Sequence, residues 1–358
     1  MRRFPHDEIN PADEMSECPK IEASDEPLAG HLRGSKPALK WLIWLVGTAA
    51  CMALILVVTH LADQREFLRL LQTIEPLSLG LAVLLQSSTY LAQAFVWRLV
   101  ARSTGHLMPM GKAYELSLAM LFVNQALPSA GISGVALVSG AMSHAGIPRA
   151  VIVSTVLIDT AMYYLAYAFL MAGALIVTLY SGYFPIWVSA VMLVFIGVGF
   201  GVTRFLLTLP GNRTSRLKTR LRRFPKLANL IDWADQAHAE SFRNKRVLSQ
   251  AFACHVVIFL LDAATVWVAV RALGVTAPMD GVLSSFMAST LFRTIGIMPG
   301  GLGTFETASV MSLKSIGLAL PVALSATLLF RGLSFWLPML PGLICSRRLL
   351  AKTKDKVN

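Results

Sequence analysis

The sequence is poor in charged residues and in cysteine. Charged side chains make up 15% of its 358 residues, and four residues are cysteine. The cysteines are scattered, without a CxxC pair or a Cys/His spacing, so we expect no metal ion, no redox pair and no cofactor. We interpret them as small buried hydrophobic residues. They are Cys18, Cys51, Cys254 and Cys345.

Motifs of catalysis are also lacking. The chain has no GxSxG motif, no P-loop and no Ser-His-Asp arrangement. We therefore expect a protein that is not an enzyme. An integral-membrane enzyme that acts on lipid stays open as an alternative.

Long apolar runs are what the sequence has in abundance. Hydrophobic residues make up 55% of the chain, and a run of about 20 of them is long enough to cross roughly 30 Å of hydrocarbon. The sequence thus predicts an all-α polytopic membrane protein with six full spans. The predicted spans are 41–61, 77–101, 150–180, 185–207, 247–273 and 321–345.

Two further apolar segments, 115–146 and 281–317, are interrupted by proline and glycine. Proline lacks the N–H that a helix needs, and glycine costs about 1 kcal/mol relative to alanine. Each segment is therefore predicted to form two short helices of roughly 13 to 16 residues, each arm covering most of the hydrocarbon core. The predicted break residues are Pro128, Gly131, Gly134, Pro299, Gly300, Gly301 and Gly303.

The net charge of +12 does not indicate nucleic acid as a partner, because the basic residues gather in loops beside the spans. All these loops fall on one side only if each interrupted segment returns to the face it left, as a re-entrant hairpin. We therefore expect a protein of the cell inner membrane with both termini cytoplasmic. The expected parts are a disordered tail (1–38), the transmembrane domain (39–348), a basic cytoplasmic loop within it (209–246) and a short C-terminal tail (349–358). Leucines among the arginines of the loop favour an interfacial amphipathic helix there.

The two interrupted segments are related by their spacing. Pro128 and Pro299 are 171 residues apart, and so are Gly146 and Gly317. Three full spans separate the two hairpins, so the second should enter from the opposite face. Units 115–180 and 281–347 would then form an inverted repeat, an arrangement in which transporters bind substrate near the midplane. The alternative is that these glycines and prolines only allow close helix packing.

Polar side chains near the breaks are the candidate substrate-binding residues. Glu306 follows the second break directly, and pairing with Arg331 would lower the cost of about 2.5–3.5 kcal/mol that a central charge carries in a membrane. A guanidinium also binds phosphate oxygens bidentately. A purely structural ion pair is the alternative. The remaining candidates are Arg293, Asn124, Gln125 and Asp159.

Two further sets of polar residues recur at helical spacing. His255 and Asp262 are seven residues apart and share a helix face, which would suit a proton relay or a satisfied polar contact. Another helix face could border a substrate pathway or form interhelical hydrogen bonds. It carries Gln86, Tyr90, Gln93 and Trp97.

The stretch PGGLGTFE from Pro299 to Glu306, followed by LLFRGLSFWLP from Leu328 to Pro338, resembles the lysylphosphatidylglycerol synthase transmembrane-region family, also called flippase-like. The likeness covers about residues 40–348, and the first break resembles that of the family. The chain departs from the family at Val138-Ser139 and Asp159-Thr160, where many members carry arginine.

The resemblance implies a protein that moves or presents a lipid or lipid-linked anionic headgroup across the bilayer, with membrane lipids as its partners. Only about a dozen residues follow the last span, so we expect no soluble aminoacyl-transferring domain. The alternative is a non-transporting scaffold for an enzyme of envelope lipid or glycan biosynthesis.

Overall fold

The computed structural model describes residues 75–126, 132–210, 225–295 and 301–354. Within these ranges the chain is helical and contains no β-strand, which confirms the predicted all-α class. The first predicted span, the N-terminal tail and four of the predicted break residues lie outside the described residues. Those four are Pro128, Gly131, Pro299 and Gly300.

The described chain forms eleven α-helices, one 3₁₀ turn (Ala239–Phe242) and one π-helical segment (Gly332–Trp336). The helices are α1 (Pro76–Ser103), α2 (Met110–Ala126), α3 (Ile132–His144), α4 (Arg149–Ser181), α5 (Ile186–Thr208), α6 (Pro225–Ala234), α7 (Lys245–Ala272), α8 (Met279–Ile295), α9 (Thr304–Ser315), α10 (Leu320–Arg331) and α11 (Leu337–Lys354).

Five helical stretches in the described chain are long and apolar enough to cross a membrane: α1, α4, α5, α7 and the stretch Leu320–Leu349, which joins α10 to α11 through the π segment. They coincide with five of the six predicted spans. Their outer faces carry exposed apolar side chains such as Leu84, Ile176 and Leu193, as expected of helices that face lipid. The last helix continues to Lys354, beyond the predicted end of the final span.

Short helices occupy the two interrupted segments. α2 and α3 have 17 and 13 residues, and α8 and α9 have 17 and 12. At 1.5 Å per residue, the shorter arm of each pair is only about 18–20 Å long, which is less than the hydrocarbon thickness. The two arms contact each other in both pairs, so each interrupted segment is a helical hairpin.

The helix boundaries repeat with nearly the spacing of the sequence pattern. α2 and α8 start 169 residues apart, and α4 and α10 start 171 residues apart. Gly146 and Gly317, which precede these last two helices, both have positive φ angles (79° and 97°). The hairpins also pack crosswise: α2 contacts α11 of the second unit, and α8 contacts α4 of the first. The helix boundaries are consistent with the predicted repeat, while the repeat and its inversion across the membrane stay predictions.

Part of the basic loop forms a helix that packs into the protein. Within α6, Ile231 and Ala234 are fully buried in a hydrophobic cluster with Val153 and Leu157 of α4. The backbone N–H of His238, just beyond α6, donates to Ser154 Oγ at 2.8 Å. This part of the loop is therefore anchored on the bundle, while its position in the membrane interface stays a prediction from the sequence.

Helices α4 and α5 pack closely at a glycine. A Cβ on Gly199 would lie 2.9 Å from Ala168 Cβ and 3.2 Å from the carbonyl oxygen of Tyr164, whereas a Cβ on Gly197 or Gly201 would meet nothing within 4 Å. Gly199 therefore lets the two backbones approach, as small residues do between membrane helices.

We predict that G199A destabilises the protein by about 1–3 kcal/mol, because the added methyl group forces α4 and α5 apart. G197A and G201A on the same helix are matched controls and should leave stability unchanged or slightly raised, since alanine favours a helix over glycine. The measurement is the midpoint of thermal unfolding of the purified variants in detergent. Equal midpoints for all three variants would contradict this packing.

Candidate functional site

The second break is shaped by glycines with positive φ angles. Gly301 has φ 66° and Gly303 has φ 81°, a region of the Ramachandran map that residues with a side chain rarely adopt. Gly303 is the N-cap of α9. A Cβ on Gly301 would collide with Cγ of Arg293, so this glycine also makes room for the arginine stem. Both glycines are among the break residues predicted from the sequence.

Glu306 is buried at the second break and accepts hydrogen bonds there. It lies in the first turn of α9 and is 2% exposed. Its Oε2 accepts the N–H of Gly303 at 2.7 Å, and its Oε1 accepts Nε of Arg331 at 2.5 Å. One carboxylate thus satisfies a backbone donor that the start of a helix leaves unpaired and neutralises a buried cation. Both of its oxygens are occupied.

Arg331 is the last residue of α10, just before the π segment. It is 5% exposed, and its guanidinium carbon lies 4.9 Å from the ring centroid of Phe305 and 5.0 Å from that of Phe335. These are cation–π distances. Arg331 and Glu306 therefore tie α9 to the junction of α10 and α11, as the predicted pairing requires.

Arg293 is the second arginine at this break and has a different environment. It lies in the last turn of α8 and is half-buried, with its guanidinium carbon 5.9 Å from the Phe305 ring centroid. It is close enough to Asp262 of α7 and Tyr167 of α4 to interact electrostatically. With the described residues, however, it forms neither a hydrogen bond nor an ion pair.

The first break uses an amide where the second uses a carboxylate. Asn124 Oδ1, at the end of α2, accepts the N–H of Gly134 at 3.0 Å. Gly134 lies in the first turn of α3, and a Cβ there would collide with the Asn124 side chain. Neighbouring Gln125 has a buried Oε1 that is without a hydrogen-bond partner in the described chain. A polar side chain thus caps the second arm of both hairpins.

We predict that N124A lowers stability by about 0.5–2 kcal/mol, because it removes the acceptor for an N–H at a helix start. N124D keeps an acceptor oxygen, and its negative charge suits the positive end of the α3 dipole. Thermal unfolding should therefore place N124D well above N124A. The same loss of stability in both variants would show that this hydrogen bond does not stabilise the break.

Two intramembrane acids are bound by glutamines of α1. Gln93 Nε2 donates to Asp159 Oδ1 at 2.8 Å, and His255 Nε2 lies 3.1 Å from the same oxygen. Gln86 Nε2 donates to Asp262 Oδ1 at 3.1 Å. The predicted polar face of α1 therefore forms interhelical hydrogen bonds, while Trp97 at its end is buried in the hydrophobic core.

The structure does not bring His255 and Asp262 together. They share a face of α7, but His255 pairs with Asp159 of α4 and Asp262 faces α1 and α8. A relay between these two residues therefore has no direct hydrogen bond in the described chain. The pairing of His255 with Asp159 was missed because helical spacing does not show which neighbouring helix a residue faces.

A hydrogen-bonded path leads from Asp262 to the π segment. Gln86 Nε2 is 3.5 Å from the hydroxyl of Tyr90, and this hydroxyl donates to the carbonyl oxygen of Ser334 at 3.4 Å. Ser334 lies in the π segment that follows Arg331. π-helical segments often mark functional sites in long helices. The sequence signal for a disturbed helix here is Pro338, which lacks the N–H that an α-helix would donate to the carbonyl oxygen of Ser334.

The described residues hold no group of three His, Cys, Asp or Glu side chains close enough to bind a metal ion. What they do place together are three acids and three bases inside an apolar helical bundle. The acid–base combinations are Glu306 with Arg331, Asp159 with His255, and Asp262 with Arg293. Buried ionisable groups next to broken helices characterise multi-pass membrane proteins with a polar interior site.

The chain belongs to the family described as the lysylphosphatidylglycerol synthase TM region, whose pattern it matches over residues 43–342. It is similar to a UPF0104 membrane protein of Methanocaldococcus jannaschii, at 23% identity over 81% of this chain and 91% of the relative. A UPF0104 membrane protein of Pyrococcus horikoshii is 29% identical over 31% of this chain and 34% of the relative. The resemblance predicted from the two motifs is thereby confirmed.

Proposed function

We propose that the protein moves a lipid or lipid-linked molecule with an anionic headgroup from one leaflet of the membrane to the other. The observation that carries this proposal is Arg293. It is a half-buried cation at a helix break that has no hydrogen bond or ion pair with the described residues. An unpaired central arginine costs about 2.5–3.5 kcal/mol on insertion scales, and an anionic ligand would offset that cost.

We assign different roles to the two arginines at the second break. Arg331 is tied to Glu306 and stacked on two aromatic rings, so it supports the shape of the break. Arg293 has its stem set against Gly301 and its guanidinium toward the bundle interior. A guanidinium matches the oxygens of a phosphate in two parallel hydrogen bonds. The headgroup would therefore meet Arg293, while its acyl chains stay in the lipid.

The family description supports a phosphate-bearing ligand, because it names a synthase of lysylphosphatidylglycerol, a lipid with a phosphate diester. The matching region is the TM region, so the proposal concerns movement or presentation of the lipid rather than its synthesis. The cell inner membrane, cytoplasmic termini and an envelope-biosynthesis enzyme as partner stay predictions from the sequence.

The test is reconstitution of the full chain into liposomes with a trace of fluorescent phosphatidylglycerol in both leaflets. Dithionite added outside bleaches the outer leaflet at once and the inner leaflet only as lipid crosses. We expect bleaching of the inner pool to depend on the protein and to be faster for phosphatidylglycerol than for zwitterionic phosphatidylcholine. Rates equal to those of protein-free liposomes would contradict the proposal and favour the scaffold.

A further inference from the structure

The third acid–base combination, Asp262 with Arg293, differs from the other two because its side chains do not form an ion pair. The Glu306–Arg331 bond is 2.5 Å and the Asp159–His255 bond 3.1 Å, whereas Asp262 and Arg293, on the packed helices α7 and α8, interact electrostatically without forming an ion pair. Both residues are half-buried. The two charges compensate each other electrostatically, but neither is locked into a hydrogen bond with the other.

We propose that Asp262 and Arg293 form a proton-coupled anion site, in which a phosphate-bearing anion binds Arg293 while Asp262 takes up one proton. This inference rests on the proposed function and adds how the movement is driven. An anion at Arg293 removes the compensation that this arginine gives to Asp262. An uncompensated carboxylate inside the bundle is expensive. A proton on Asp262 removes that charge, so one singly charged headgroup and one proton together add no net charge.

Gln86 is suited to both protonation states of Asp262. Its Nε2 donates to Asp262 Oδ1 at 3.1 Å, while its own Oε1 is buried and has no hydrogen-bond partner in the described chain. A buried acceptor without a donor carries a desolvation cost. When Asp262 is protonated it gains an O–H that needs an acceptor, and the amide of Gln86 supplies one by turning about its terminal bond.

The surroundings of Asp262 leave Arg293 as its only charged neighbour among the described residues. Gln86 and Tyr90 face it from α1, and Arg293 faces it from α8. On α7 itself the nearest ionisable group along the same face is His255, which is bound to Asp159 of α4. Of the other elements packed on α7, α10 carries Arg331, which is bound to Glu306. The exchange therefore concerns one acid and one base.

A path of hydrogen bonds connects Gln86, the partner of Asp262, through Tyr90 to Ser334 in the π segment. The Tyr90 hydroxyl lies between the Gln86 amide and the carbonyl oxygen of Ser334. When the Gln86 amide turns, the hydrogen-bonding needs of this hydroxyl change. Ser334 belongs to the π segment beside Arg331, so this path ends three residues from the Arg331–Glu306 pair.

The test is titration calorimetry of the full chain in detergent with dioctanoyl phosphatidylglycerol near neutral pH, in two buffers of different ionisation enthalpy. The buffer dependence of the heat gives the number of protons taken up. We expect about one proton per lipid bound, and an affinity that rises about tenfold per pH unit as the pH falls. Dioctanoyl phosphatidylcholine, which has no net charge, should bind without proton uptake or not at all.

Variants assign the uptake to residues. D262N mimics the protonated acid and should bind the anionic lipid without proton uptake and independently of pH. R293Q should lose binding of the anionic lipid. The matched controls D280N and R271Q change exposed residues of the same types and should behave like wild type. Proton uptake that survives in D262N, or that disappears in D159N instead, would overturn the proposal.

The phosphate could come from a lipid or from free phosphate, so a second arm uses inorganic phosphate as the titrant. Proton uptake with the lipid alone assigns the site to a headgroup, and uptake with phosphate alone assigns it to a soluble anion. If the lipid binds at Arg293 without any proton uptake, the coupling fails while the proposed function stands. If neither ligand binds, both the coupled site and the proposed function are contradicted.

Discussion

Replacing Glu306 with glutamine or Arg331 with methionine is expected to destabilise the protein by about 3–5 kcal/mol, because each change leaves a buried charge without its partner. Both residues are almost completely buried, and the carboxylate joins the guanidinium to the N–H of Gly303. E306Q leaves the cation of Arg331 between two aromatic rings, and R331M leaves an anion at the helix start. Thermal unfolding of the purified variants measures both losses.

A double-mutant cycle separates the pair from its surroundings. In E306Q/R331M both charges are gone, and replacing a whole buried pair is often far less costly than removing one partner alone. The loss of stability in the double variant should therefore be smaller than the sum of the two single losses by about 0.5–3 kcal/mol. Strictly additive losses would contradict a direct interaction between the two side chains.

Replacing Arg293 with glutamine should lower the rate of phosphatidylglycerol movement by roughly 10–100-fold, since a hydrogen bond to a charged group is worth about 1.5–3 kcal/mol. R293K should retain part of the rate, because lysine keeps the charge but not the planar fork. R293Q should lose less stability than E306Q or R331M, because Arg293 has no hydrogen bond or ion pair to lose among the described residues and only its electrostatic interaction with Asp262 is removed.

The liposome assay with dithionite measures this effect, and R271Q is its control. Arg271 ends α7, is exposed and stacks on Trp267, so its loss removes the same charge far from the break. R271Q should move lipid like wild type. Equal rates in R293Q and R271Q would remove Arg293 from the pathway.

The spans and the breaks could be predicted from the sequence because both depend on local chemistry. Apolar length sets a span, and proline with glycine ends a helix whatever packs around it. Five spans and both hairpins follow from these rules. The cap of Glu306 on Gly303 also has a local signature, an acid three residues after the N-cap, which could have been recognised.

The partners inside the bundle could not be predicted in the same way. The seven-residue spacing of His255 and Asp262 places them on one face, but which helix each faces depends on how α1, α4 and α8 pack around α7. The two glutamines of α1 therefore donate hydrogen bonds to different acids. Gln93 donates to Asp159, and Gln86 donates to Asp262. The π segment, by contrast, has a local signal in Pro338, which lacks the N–H for the carbonyl oxygen of Ser334 and could have been recognised.

The different environments of Arg331 and Arg293 change the roles that we expect for the site residues. The sequence predicted Glu306 and Arg331 as headgroup contacts, and that role stays a prediction. The geometry favours a supporting role for both, since the two carboxylate oxygens are occupied by Gly303 and Arg331. Arg293 is the cation at this break that a ligand can reach without breaking an ion pair.

The most direct test of this account is binding of dioctanoyl phosphatidylglycerol, measured side by side with the unfolding midpoint, in R293Q and in E306Q/R331M. The account predicts that R293Q loses lipid binding while it stays folded, with a smaller drop in midpoint than E306Q or R331M. It predicts that E306Q/R331M keeps lipid binding, whatever its midpoint. Binding that survives in R293Q and is lost in folded E306Q/R331M would contradict it.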